Sequence, residues 1–290
     1  MLRPLHKRWT VRDVVILGLL LGVGAWIHRT ALLDIWMIGA GRSEQSHILL
    51  APFVSGWLFW LRRSRLRSVR VSPSLWGPVL IMLGWTASWV GIETDTIVIW
   101  HGSALVTLLG CVVTVTGLAP LKLFAPAVVA LLFVIPMPGS IRGVIAVPLQ
   151  AMATVVTQFL LELFGVPTTR LGNVLTINGE QIAVGEACNG MRMVFALGVT
   201  IYAFVFSVPL RPSMRVLLLA ISPLLALACN VVRLIPTAVI FGYGTAEQSR
   251  VFHDASGWVM LPIALVMLIG VLRLTSWIDV PIMSLKLTMK

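Results

Sequence analysis

The chain has 290 residues, 58% of them hydrophobic and 11% charged, with a mean hydropathy of +0.96. Soluble domains average about 45–50% apolar and about 25% charged, so a water-soluble globular enzyme is excluded and a polytopic membrane protein is indicated. The net charge of +11 sits mainly in short segments between apolar runs, which is a topology signal; without an aromatic-interleaved basic groove or zinc spacing, neither nucleic acid nor a metal or cofactor is expected.

In chain order, the first segment, "MLRPLHKRWTVRDVVILGLLLGVGAWI", has a basic head and an apolar core but no small-residue cleavage site, so it reads as an uncleaved span. Eight apolar spans are expected, at 13–28, 48–61, 75–91, 96–118, 121–136, 189–208, 216–241 and 257–274. The second and fifth are short for a full crossing, which suits tilted or partly re-entrant helices. The run "RRSRLRSVR" at 62–70 reads as a cytoplasmic loop touching anionic lipid headgroups. The segment 141–164 places Ile141, Ile145, Leu149, Met152, Val156, Phe159 and Leu163 at helical spacing, with Gln150, Thr154, Thr157 and Gln158 on another face. An interfacial or re-entrant helix is expected there, and an ordinary span is the alternative. Residues 165–187 alternate apolar and polar positions between Gly-Asn and Asn-Gly turn signals, which predicts a small β-hairpin-like element at the outer face.

With the N-terminus in the cytoplasm, this scheme places 15 of the 22 Lys and Arg on the inner side and the C-terminus inside as well. A ninth span at 144–164 would put Arg211 and Arg215 outside, which argues against it. The expectation is therefore an all-α integral membrane protein, one domain over 1–290, in the cytoplasmic (inner) membrane.

Of the three cysteines, Cys111 and Cys229 lie deep in apolar runs and read as small buried hydrophobes. Cys188 differs. In "GEACNGMRMV" it lies beside Glu186, Asn189, Gly190 and Arg192, at the outer start of the sixth span. Arg233, in "ACNVVRLIPTAVIF", is an ionisable residue inside a span, which costs about 2.5–3.5 kcal/mol on insertion scales and marks a functional candidate. It lies about seven residues, or roughly 10 Å, from the outer end of its span. His253, in "SRVFHDASGW", falls in the outer loop before the eighth span. Three adjacent spans thus deliver a thiol, a guanidinium and an imidazole to one depth.

That set suits nucleophilic catalysis by a thiolate, whose pKa falls at a helix N-terminus or beside a cation. His253 is placed to exchange the thiol proton with a leaving amine, and Arg233 to stabilise an oxyanion. The backbone N–H groups of Asn189 and Gly190 are further oxyanion candidates, since helix-start amides lack internal partners.

The stretches "EACNGMR", "ACNVVRLIP" and "HDASGW" resemble the cysteine, arginine and histidine motifs of the exosortase/archaeosortase family. The stretch "RSEQSHILLAPFVSGWLFWLRR" is similar to the family's early Ser-His segment, and "FVIPMPGSIRGVIAVPLQ" to its Pro-x-Pro and Pro-Leu-Gln segments. Two departures are Ile48 after the early Ser-His and Asn189 after the cysteine, where the family commonly has Gly and Ser. The resemblance, from about residue 44 to 262, implies a membrane-embedded cysteine transpeptidase. Its substrates would be exported proteins ending in a Pro-Glu-Pro-like motif, a helix and a basic tail, passed through a thioester to an acceptor. By position Cys188 would be the nucleophile, Arg233 the essential arginine and His253 the acid/base, with His47 matching the early motif and Arg192 a substrate or structural contact. The alternatives are a protease that only hydrolyses the signal, and a transporter or structural subunit. The latter is disfavoured because no inverted repeat or paired broken helices are evident.

Overall fold

The computed structural model describes residues 9–41, 45–68, 72–184 and 190–277. The fold is mostly helical and divides into two compact units, Met1–Pro138 and Gly139–Lys290.

In the first unit, α1 (Val11–Ile27) starts at a capping box. The Asp13 N–H donates to Thr10 Oγ1 at 3.3 Å, and the Thr10 N–H donates back to the Asp13 carboxylate at 3.0 Å. The helix stops at His28, and α2 (Arg29–Ala40) continues at a bend of 73°. All of α2 lies outside the eight spans expected from the sequence. A 3₁₀ turn (Ser46–Leu49) leads into α3 (Leu50–Leu61). Next, α4 (Trp76–Glu93) and α5 (Ile97–Thr116) pack antiparallel across a tight turn at Asp95. Gly77, Gly84 and Gly91, spaced seven apart, face α5. A Cβ at 84 would fall 2.9 Å from the Thr107 nitrogen, and one at 91 would fall 2.5 Å from that of Trp100. Small residues at this spacing let two backbones approach closely, which is how helices pack in lipid.

The span expected at 121–136 is not one helix. It consists of α6 (Ala119–Leu123), α7 (Ala125–Leu131) and a 3₁₀ turn (Leu132–Val134), broken at Phe124. Pro120 and Pro126 sit in the first turns of α6 and α7, where a missing N–H costs little. The Ser55 hydroxyl donates to the Ala127 carbonyl at 2.8 Å and ties α3 to α7.

The second unit begins with α8 (Gly139–Leu163), close to the predicted helix, and continues into a three-stranded antiparallel sheet. Its strands are β1 (Thr168–Leu171), β2 (Val174–Ile177) and β3 (Glu180–Ala183), one more than the hairpin-like element expected. Asn178 and Gly179 take φ of 52° and 84°, as a type I′ turn requires, and Gly172 opens the other two-residue turn at φ 61°. Three long helices follow: α9 (Gly190–Ser207), α10 (Pro212–Tyr243) and α11 (Ala246–Trp277). The central one is α10, which packs against α8, α9, α11 and the sheet. Leu175, Ile177 and Ile182 of the sheet and Leu161 of α8 are buried with Leu234 and Ala238 of α10. The Asn178 side-chain amide donates to the Gly242 carbonyl at 3.0 Å. A Cβ on Gly242 would meet Ile177 Cβ at 3.0 Å, so the sheet docks on backbone there.

Among the described residues, α5 and α10 are long and apolar enough to cross a membrane, and α1 with α2 makes a third if the bent pair counts as one span.

Candidate active site

Arg233 lies in α10 and is 8% exposed. One of its terminal nitrogens donates to Asn230 Oδ1 at 3.2 Å, and Asn230 is itself buried. A buried cation needs hydrogen-bond partners to offset lost hydration, and a side chain one turn earlier supplies one here. The local helix is loosened: Pro236 has no N–H for the Val232 carbonyl, while the Thr237 hydroxyl donates to the Arg233 carbonyl at 2.7 Å. At the other internal proline of α10 the freed carbonyl does find a donor. Pro223 leaves the Leu219 carbonyl without its usual donor, and the Ser222 hydroxyl reaches it at 2.8 Å.

Cys188 and Asn189 lie outside the described residues, but the chain on either side is placed. Val184 is buried in one apolar cluster with Leu175 and with Leu227, Val231 and Leu234 of α10, the last two of which flank Arg233. Its N–H donates to the Asn173 carbonyl at 2.9 Å, which fixes the backbone just before the cysteine segment. On the other side, Gly190 opens α9, with Arg192 in its first turn.

The expected loop position of His253 is corrected: residue 253 lies within α11, two turns from its start. That start is fixed by a second capping box. The Gln248 N–H donates to the Thr245 hydroxyl at 3.2 Å, and the Thr245 N–H donates to Gln248 Oε1 at 2.9 Å. Ser249 and Ser256 of the same helix are buried. Along this helical hairpin, Arg233 is ten residues before the end of α10 and position 253 is seven past the start of α11. At 1.5 Å per residue these are about 15 Å and about 10 Å from the turn, within about one helical turn of each other in level.

His47 is buried in the 3₁₀ turn of the first unit. Two motifs about ninety residues apart meet there: the Met137 N–H donates to Gln45 Oε1 at 2.8 Å, joining the Ser-His segment to the Pro-x-Pro segment. Cys111 and Cys229 are free and buried. The first thiol donates to the Leu20 carbonyl at 3.4 Å, and the second lies 3.3 Å from Met267 Sδ.

One polar cluster was not anticipated. His101 Nε2 lies 2.9 Å from the Asp34 carboxylate, and His28 Nε2 lies 3.0 Å from the Thr107 hydroxyl, with both imidazoles buried. An imidazole inside an apolar run was the available signal, and the rule that marked Arg233 applies equally to His101.

The family model for transmembrane exosortases matches residues 36–270. The chain belongs to the transmembrane exosortase family. No curated protein and no solved structure matches it. As an exosortase it is a membrane protein of a protease/transpeptidase class that acts on sorting signals. The matched region holds all the motifs quoted above, from the Ser-His segment of the first unit to the α11 segment bearing His253.

Proposed function

We propose that this exosortase is an intramembrane cysteine transpeptidase with Cys188 as nucleophile, Arg233 as oxyanion stabiliser and His253 as general acid/base. The observation that carries the reading is the family match over residues 36–270, together with Arg233 held inside α10 beside residues that share a core cluster with Val184, which precedes the cysteine segment. Cys188 is four residues beyond Val184, at most about 14 Å of chain. It is two residues before the first turn of α9, where helix-start amides favour a thiolate.

The substrate is an exported protein whose C-terminus carries a short Pro-Glu-Pro-like motif, one apolar helix and a basic tail. The Cys188 thiolate attacks the scissile carbonyl after His253 has taken its proton. Arg233, with the Asn189 and Gly190 amides, holds the oxyanion. The C–N bond breaks as His253 returns the proton to the leaving amine. The resulting thioester passes to the amine or hydroxyl of an acceptor, and His47 and Arg192 serve as substrate or supporting contacts. The eight-span arrangement in the inner membrane, with both termini cytoplasmic and the site at the outer face, belongs to the same reading. The basic segment 62–70 then rests on anionic headgroups. Arg63 stacks 4.2 Å over Trp60, an amphipathic pairing suited to that depth.

The test co-expresses each variant with a tagged reporter bearing such a tail. Cys188→Ala should leave only precursor while the enzyme still accumulates in the membrane, and normal cleavage would end the reading. Intact mass of the processed reporter separates transfer, which adds a group, from hydrolysis, which leaves a free carboxylate.

A further inference from the structure

The three-stranded sheet has two outer edges, and they are treated differently. The pairing register, with the Val184 N–H on the Asn173 carbonyl, turns the backbone groups of Glu180, Ile182 and Val184 toward β2. Those of Gln181 and Ala183 therefore point away from the sheet. On the opposite edge, Thr168 and Arg170 point outward; α8 buries Thr168, while Arg170 is exposed and is reached through its side chain. Gln158 donates to the Thr168 carbonyl at 3.5 Å and accepts from the Arg170 guanidinium at 3.3 Å. Among the described residues, nothing bonds to the outward N–H and C=O groups of Gln181 and Ala183. Gln181 is exposed and Ala183 half-buried. Strand edges are ordinarily covered, shortened or charged because they template pairing; α8 covers β1 at Thr168 and a charge stands at Arg170, whereas β3 has neither at Gln181 and Ala183.

The open edge is also next to the chemistry. The residue after β3 is Val184, and Cys188 follows four residues later. At the other end of β3, a cavity of about 710 Å³ lies between the β2–β3 turn and the α10–α11 turn. It is lined by Asn178, Glu180, Tyr243 and Arg250 among others, so it offers both charges and an aromatic ring. Its volume is in the range of ligand sites. An extended peptide is the ligand whose donors and acceptors repeat with the two-residue period of this edge.

We propose that β3 is the substrate-docking strand: an extended segment of the exported protein pairs with Gln181 and Ala183, its polar residues enter the cavity at Glu180 and Arg250, and the pairing sets the scissile bond beside the cysteine segment. This rests on the proposed transpeptidase reading.

Gln181→Pro deletes one outward N–H and leaves the β2–β3 ladder intact, since proline is tolerated on an edge. Processing of the tagged reporter should fall at least about tenfold, with membrane accumulation and labelling of Cys188 by a small thiol reagent unchanged. A photo-crosslinking residue at 181 in a Cys188→Ala background should yield an enzyme–reporter adduct, and it answers the question even if the proline variant fails to accumulate. Full-rate processing by Gln181→Pro, no reporter adduct, or adducts only between two enzyme copies would overturn the proposal while the cysteine reading stands. Normal processing by Cys188→Ala would instead remove the parent reading, and with it the identity of the occupant.

Discussion

Asn230 and Arg233 are three residues apart on one helix, and the amide is an acceptor aimed at the guanidinium. If Arg233 meets a developing oxyanion, the charge and the planar fork both matter, so Arg233→Lys is not conservative. We expect Arg233→Ala and Arg233→Lys each to cut reporter processing by roughly 100–1,000-fold, the usual consequence of losing one oxyanion donor, with membrane accumulation preserved for the lysine variant. On the proposed function Asn230 would act through Arg233, as a positioning residue. Asn230→Leu should slow processing, whereas Asn230→Asp, which keeps an acceptor, should restore it; equal loss in both would sink the positioning role. Arg233 was legible in the sequence because a charge inside an apolar run is conspicuous on its own. The pairing of His101 with Asp34 was not, because its partners are 67 residues apart and neither lies in a polar stretch. Hydrogen bonds within membrane bundles average about 0.6 and reach about 1.7 kcal/mol. A double-mutant cycle on Asp34→Ala and His101→Leu, read by thermal unfolding in detergent, should return a coupling in that range.

At the scale of elements, the α4–α5 pair is the clearest case of sequence dictating contact. The seven-residue glycine repeat leaves space only for the facing backbone and side chains of Trp100, Thr107 and Thr114. Gly84→Leu places a branched side chain against the Thr107 nitrogen and the Ser103 carbonyl, and overpacking of this kind costs about 1–3 kcal/mol. Lower membrane accumulation and a lower unfolding temperature are expected. Gly18→Leu in α1, where nothing lies within 4 Å of the added Cβ, should change neither. The sheet was partly legible, since Asn178-Gly179 and Gly172-Asn173 carry the chemistry of two-residue turns; the first strand, Thr-Thr-Arg-Leu, has too little apolar alternation to announce itself. What happens at His28 and Phe124 was illegible for other reasons. At Phe124 no glycine marks the break and the apolar run continues through it, so hydropathy joins what the backbone separates; at His28 the span ends where expected, and what the polar His28-Arg29-Thr30 hides is that a second helix starts at once. His253 was placed in a loop because Ser-Arg, His-Asp and Ser-Gly lower local hydropathy. The capping box at Thr245 and Gln248 is the signal that starts the helix earlier.

For the whole molecule, length and charge pull in different directions. A helix of 12 residues, such as α3, rises only about 18 Å against a hydrocarbon core of about 30 Å. Yet the distribution of Lys and Arg favours one sidedness strongly, with 15 of 22 on the inner side of the eight-span scheme. Short helices reconcile the two if neighbouring turns and 3₁₀ segments extend them, as Ser46–Leu49 extends α3. The decisive segment is α8. It holds Pro148 and its 25 residues are long enough to cross, so what speaks against reversed sidedness is charge: a crossing would carry Arg211 and Arg215 outside. Paired fusions of green fluorescent protein and alkaline phosphatase read this directly, because the first fluoresces only in the cytoplasm and the second folds only outside. Fusions at Arg65, Lys122 and Arg211 should fluoresce without phosphatase activity, and those at Asp95, Gly172 and Gly244 should do the reverse. If α8 crosses, Gly172, Arg211 and Gly244 all reverse while Arg65, Lys122 and Asp95 keep their behaviour. That pattern would place the α10–α11 turn, and the cavity beside it, on the cytoplasmic side, where no exported substrate waits.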